Sequence, residues 1–168
     1  MDRQVQLSHA RPMQINTLIP RRKISSAQLI LVLSLLGIGT AYRTHQLLDY
    51  SLWLDESWVA IGTQTKTLEE FLLALSHSPV LFALLIRLAF EVFRHPELGA
   101  RFLPFAFSVI ALALAFRLGK ALQGTLGGLI ALALVAVHSD FIDQAKKLKQ
   151  YSLDAALALA ISWLNLRS

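Results

Sequence analysis

Apolar residues in this chain are gathered into runs separated by short polar segments. The first run, ISSAQLILVLSLLGIGTAY at 24–42, carries no charge and is about as long as the ~20 residues that cross a ~30 Å hydrocarbon layer as a helix. Further apolar runs follow at 80–93, 102–116, 126–138 and 151–166. The pattern predicts an all-α integral membrane protein. We expect a multi-span helical bundle with spans near 24–42, 100–118, 124–140 and 151–166, and an outer loop carrying short interfacial helices. The segment 80–94 is shorter and holds Arg87 and Glu91 four positions apart on one helical face, so it reads as either a spanning or an interfacial helix.

The polar segments give these runs an orientation. Residues 1–23 hold Arg3, Arg11, Arg21, Arg22 and Lys23 against a single acid, Asp2, and are expected to form a cytoplasmic tail, with the first span leading outward. A cleaved signal peptide would also be basic and then apolar, but the long tail and the lack of an A-x-A site favour a retained span. The segment 43–78 mixes Tyr50, Trp53 and Trp58 with Asp49, Asp55, Glu56, Glu69 and Glu70, as expected of a loop at the membrane surface with its rings at headgroup depth. Within it, TLEEFLLALS at 67–76 opens like a capping box and predicts a short helix.

Composition sharpens this picture. Hydrophobic residues make up 55% of the chain and the mean hydropathy is +0.53, too apolar for a soluble domain to hide inside its own surface. The absence of cysteine excludes disulfides, thiolate catalysis and a Cys-based zinc site. The formal charge of +5 comes from basic residues at the ends of apolar runs, where they meet headgroups and phosphates. Membrane lipids are therefore the expected partners, and nucleic acid is not.

Two clusters could carry chemistry. In LWLDESWVA, Asp55 and Glu56 are adjacent acids at the membrane surface, suited to general-base work, to metal ligation, or to nothing beyond a hydrated loop. In HSDFIDQAKKLKQYSLDAA, the residues Asp140, Asp143, Lys146, Lys147, Lys149, Gln150, Tyr151 and Asp154 interrupt lipid-compatible sequence. Charge at that boundary is costly and suggests function. The lysines could grip a phosphate and Asp154 could bind a cation or orient an acceptor; the bland alternative is a basic cytoplasmic loop. Arg101 reads as a snorkelling end residue or a phosphate contact. His77, ahead of Pro79, reads as structural or as a polar contact near a helix start.

Taken in order, LDES at 54–57, HSPVLFALLIRL at 77–88, ELGARFLPF at 97–105 and LKQYSLD ending at Asp154 resemble the membrane glycosyltransferases of the GT-C superfamily. The likeness is to the bacterial relatives of dolichyl-phosphate-mannose protein mannosyltransferases, and it runs from the first span to the C-terminus. It implies an inner-membrane, multi-pass enzyme taking a sugar from a polyprenyl-phosphate donor to a glycan, lipid or protein acceptor. It also implies that Asp55 is the catalytic acid, that Glu56 beside it is the second catalytic residue, and that Arg101, Lys149, Gln150, Tyr151, Asp154 and His77 are substrate-binding. The cofactor is unknown; a divalent cation held by Asp55 and Asp154 is the candidate. The chain departs from the family pattern in having HSP where relatives often have a second Pro, and in its length. Such enzymes run to several hundred residues, so a truncated product or one part of a split enzyme is expected.

A shared site for Asp55 and Asp154 demands an even number of crossings between them, whereas three apolar runs intervene. One run must then stay out of the bilayer, and 80–93 is the natural choice. Counting positive charge favours the rival arrangement, in which all three cross and the lysines are cytoplasmic. We favour the shared site. Two other functional classes stay open: a non-catalytic fragment or subunit of a membrane assembly, and a transporter, which the small number of spans and the lack of a visible inverted repeat disfavour.

Overall fold

The computed structural model describes residues 24–49, 51–74, 78–93 and 95–167. The tail expected at 1–23, together with Tyr50 and His77, lies outside these. Among the described residues there are seven helices and no strand: α1 (Ser26–Thr44), α2 (Leu54–Thr63), α3 (Leu68–Ala74), α4 (Val80–Val92), α5 (Pro96–Val137), α6 (Ser139–Gln144) and α7 (Tyr151–Asn165).

Helix α1 starts where the sequence supplies a cap. Ser25 Oγ accepts from Gln28 N–H at 3.3 Å and the Gln28 side chain accepts from Ser25 N–H at 3.1 Å, a reciprocal pair that satisfies two backbone donors. Its apolar residues run all the way round, so Leu29, Ile30, Leu31, Leu33 and Ile38 stay exposed while Val32 turns inward. A helix apolar on every side needs an apolar solvent. By length and composition α1 and α5 are long and apolar enough to cross a membrane.

Helix α5 is two arms. Gln123 (φ −135°, ψ 22°) and Gly124 (φ 71°, ψ −166°) leave helical geometry and divide 96–122 from 125–137, so the spans expected at 100–118 and 124–140 are one continuous hairpin. The arms meet at small residues. A Cβ on Gly119 would stand 2.5 Å from the Gly127 carbonyl oxygen, so this crossing tolerates no side chain there.

Two apolar clusters hold the helices. Val32, Leu112, Leu132 and Ala136 join α1 to both arms of α5. Val59, Ala60, Phe82, Ile86, Ala100, Leu148 and Leu153 join α2 and α4 to the start of α5 and to the segment entering α7. Helix α4 therefore packs at the same end of α5 as α2. Its 13 residues measure about 20 Å at ~1.5 Å per residue, short of the ~30 Å hydrocarbon layer. At the opposite end of the first arm, Arg117 and Arg167 both lie over the Trp163 ring, at 5.2 and 4.7 Å from its centre.

The structure corrects the loop expected at 43–78. Arg43 and Thr44 belong to the last turn of α1, and LDESWVAIGT is the helix α2. The short helix expected at 67–76 is α3, and its capping box forms between Thr67 and Glu70.

Candidate active site

Helix α2 is short, with Asp55 and Glu56 in its first turn, where the unpaired N–H groups favour negative charge. Successive side chains on a helix point about 100° apart, so the two adjacent acids have different surroundings. Glu56 is buried, 2% exposed, and its Oε2 accepts from Trp53 N–H at 2.9 Å, as the third residue of a helix does when it closes back on the cap. Asp55 remains largely exposed.

The second half of the site is the turn at 145–150. Its backbone closes on itself through Lys146 N–H to Asp143 O at 3.1 Å and Lys149 N–H to Lys147 O at 2.8 Å. Leu148 is fully buried in the cluster beneath α2. Its N–H donates to Glu56 Oε1 at 2.7 Å, a bond between residues 92 positions apart. Arg101, 2% exposed at the start of α5, donates from Nη1 to the Lys146 carbonyl on the same turn. Ser152 Oγ donates to Gln144 O at 3.1 Å and closes the turn onto α7.

This framework brings Lys149 Nζ to 2.8 Å from Asp55 Oδ2. The Lys149 hydrogen bond, with the added attraction of its charge, holds the Asp55 carboxyl below the usual carboxylate range. Asp55 is therefore ionised at neutral pH. A pocket of about 230 Å³ opens here, lined by Trp53, Asp55, Glu56, Lys147 and Lys149. It offers two ammonium groups, an indole surface and a carboxylate paired with one of those ammonium groups: an anion seat beside an ionised acid.

Of the residues singled out in the sequence, Asp55, Glu56 and Lys149 come together. Arg101 reaches the site through the Lys146 carbonyl and is buried, not snorkelling. Gln150 is half-buried, Tyr151 and Asp154 are exposed at the start of α7, and none of the three lines the pocket. For the divalent cation, Asp55 already has an ammonium at contact distance, and among the described residues no three His, Asp or Glu side chains cluster as metal ligands. Sequence reasoning gave Lys147 only as one of three basic residues and did not single out Leu148, whose contribution is a backbone N–H that no side-chain pattern announces.

No curated protein and no solved structure matches the chain. A family model does, over residues 76–167, which takes in Arg101, the 145–150 turn and Asp154 while leaving α1 and α2 outside the match. That match covers more than half of the 168 residues, and the chain belongs to the membrane-embedded dolichyl-phosphate-mannose-protein mannosyltransferase family.

Proposed function

We propose that this chain is a glycosyltransferase of the GT-C type that moves a sugar from a polyprenyl-phosphate donor to a hydroxyl of a glycan, lipid or protein acceptor outside the cytoplasm. The observation that carries the reading is the meeting of Asp55 and Lys149 at 2.8 Å in one pocket, an acid from the first turn of α2 and a cation from the turn before α7. Family membership supports glycosyl transfer, and the pocket supplies the two groups such a transfer needs.

In this reading the donor phosphate sits on Lys147 and Lys149, which offset the negative charge that grows on it as the sugar leaves. The bond from the anomeric carbon to the phosphate oxygen breaks with its electron pair going to the lipid phosphate. The acceptor oxygen bonds to that carbon, and its proton passes to Asp55. While Lys149 holds Asp55 the carboxylate is a weak base; a phosphate that draws Lys149 away restores its basicity. Acceptor activation thus follows donor binding.

The proposed setting is the inner membrane. Helix α1 crosses outward, α2 to α4 lie at the outer face, the arms of α5 cross in and back, and α7 re-enters. The packing of α4 beside α2 at the pocket end of α5 supports this, as does the clustering of Arg117 and Arg167 at the end remote from the pocket, where cytoplasmic basic residues belong.

The test is sugar transfer in membranes supplied with radiolabelled polyprenyl-phosphate sugar. Asp55→Asn should lower kcat by about 10²–10⁴, the range for a lost general base. Lys149→Met should raise the donor KM. Full activity in Asp55→Asn would sink the reading.

A further inference from the structure

We infer that Glu56 is a positioning residue: its buried carboxylate, shared between Trp53 N–H and Leu148 N–H, holds the two halves of the site at the spacing that lets Asp55 meet Lys149. The consequence for donor binding rests on the proposed function; the clamp itself does not.

Each Glu56 oxygen serves a different backbone donor, Oε1 taking Leu148 at 2.7 Å and Oε2 taking Trp53 at 2.9 Å. A carboxylate is the side chain that offers two acceptors and no donor. Glutamine has one carbonyl oxygen, so in Glu56→Gln an amide NH2 must face one of the two N–H groups, donor against donor. Glu56 is 2% exposed and Leu148 is fully buried, so water cannot take over at the Leu148 amide without opening the cluster around it.

The turn that Glu56 grips is held from a second side by Arg101 on the Lys146 carbonyl, and the Leu148 side chain is seated among Val59, Phe82 and Ile86. Buried groups of opposite charge thus hold successive peptide units of the lysine turn. Lys147 and Lys149, the residues that line the pocket, alternate with the anchored positions. Removing the Glu56 contact takes away the backbone bond between the turn and α2 without touching either lysine. Glu56 therefore acts on the pocket through the backbone, while its neighbour Asp55 acts on it directly.

The experiment is hydrogen exchange of the whole chain in detergent micelles, resolved to single amides, with farnesyl phosphate binding measured alongside. In the native chain the Leu148 amide should exchange slowly. In Glu56→Gln it should exchange about tenfold faster or more, as expected when a charge-assisted bond to a buried donor is lost, while amides in 125–137 keep their rates. Farnesyl phosphate should bind Glu56→Gln about tenfold more weakly than the native chain. Glu70→Gln, which alters an acid in the capping box of α3, should leave the Leu148 amide as it was. Fast exchange of Leu148 in the native chain, or an unchanged rate in Glu56→Gln, would overturn the inference. If the variant does not fold, the native rate decides alone. If Leu148 exchange responds but farnesyl phosphate binds neither form, the clamp stands and the donor assignment falls.

Discussion

Arg43 Nε donates to Ser108 Oγ at 2.7 Å, fastening the last turn of α1 to the middle of the first arm of α5. The same guanidinium reaches the second arm, with Nη1 on the Ala136 carbonyl at 3.2 Å and Nη2 on the Val135 carbonyl at 3.0 Å. These carbonyls belong to the last turn of α5, where helical partners run out and positive charge is favoured. A third carbonyl, Gly39 O, accepts from Nη1 at 2.8 Å. One fully buried side chain thus caps one helix while cross-linking three helical segments. Replacing it with methionine takes the donor from the Val135 and Ala136 carbonyls, each costing about 1–3 kcal/mol if left unsatisfied, whereas Gly39 O keeps its place in the helix. We expect Arg43→Met to lower the thermal unfolding midpoint in detergent by several degrees, and Arg43→Lys, which has a single nitrogen, to recover only part of the loss.

The Asp55–Lys149 pair makes a prediction about pH. Lys149 lowers the Asp55 pKa, so the pair is intact at neutral pH and is lost as pH falls through the depressed value. In Lys149→Met the hydrogen bond and the charge both vanish, and Asp55 should titrate nearer the ordinary ~3.9 of an aspartate. The acid limb of kcat/KM, which reports groups of the free enzyme, should move to higher pH in the variant. An acid limb that stays put, or moves down, would mean that Asp55 is not the group titrating.

The hairpin of α5 depends on Gly124. Its φ of 71° with ψ of −166° lies in a region that only glycine enters at low cost. Nothing lies within 4 Å of where a Cβ would stand, so any penalty in Gly124→Ala comes from the backbone alone. We expect about 1–3 kcal/mol of destabilisation. Gly37→Ala, in the helical interior of α1 with equally open space, is the control and should be neutral or stabilising by up to about 1 kcal/mol. Unfolding monitored by far-UV circular dichroism separates the two.

How much of this was legible in the sequence follows from the range of each interaction. The runs that became α1, the two arms of α5 and α7 are apolar over enough turns to announce themselves, and the Thr67–Glu70 cap announced α3 because a capping box is a local bond. Helix α2 was hidden: LDESWVAIGT places two acids at its start among aromatics, and it is held by contacts with Phe82, Ile86 and Leu148 that lie far along the chain. Asp55 stood out as one of two adjacent acids at the membrane surface, and the lysines as costly charge near lipid. What joins them did not. Glu56 looked like the lesser twin of Asp55 because its partner is a peptide N–H 92 positions away. Arg43 was not singled out, because nothing in the sequence distinguishes it from the other basic residues at the ends of apolar runs; it is buried and bonded to neutral oxygens.

The proposed topology can be tested without function, because the chain contains no cysteine. Single cysteines in place of Ser51, Asp143 and Arg117 all fall at exposed positions. Ser51 precedes α2 and Asp143 lies just before the lysine turn, so both are near the pocket, whereas Arg117 lies far down the first arm of α5 against Trp163. A membrane-impermeant maleimide applied to intact cells should label Ser51→Cys and Asp143→Cys, and should reach Arg117→Cys only after lysis. The positive-inside count argues for the reverse at Asp143, since Lys146, Lys147 and Lys149 would then be cytoplasmic. The fold opposes it: Lys149 contacts Asp55 on α2, and a crossing between them would have to separate two groups held 2.8 Å apart. Labelling of Ser51→Cys alone from outside would therefore contradict the Asp55–Lys149 contact along with the topology, and the proposed transfer site would fall with it.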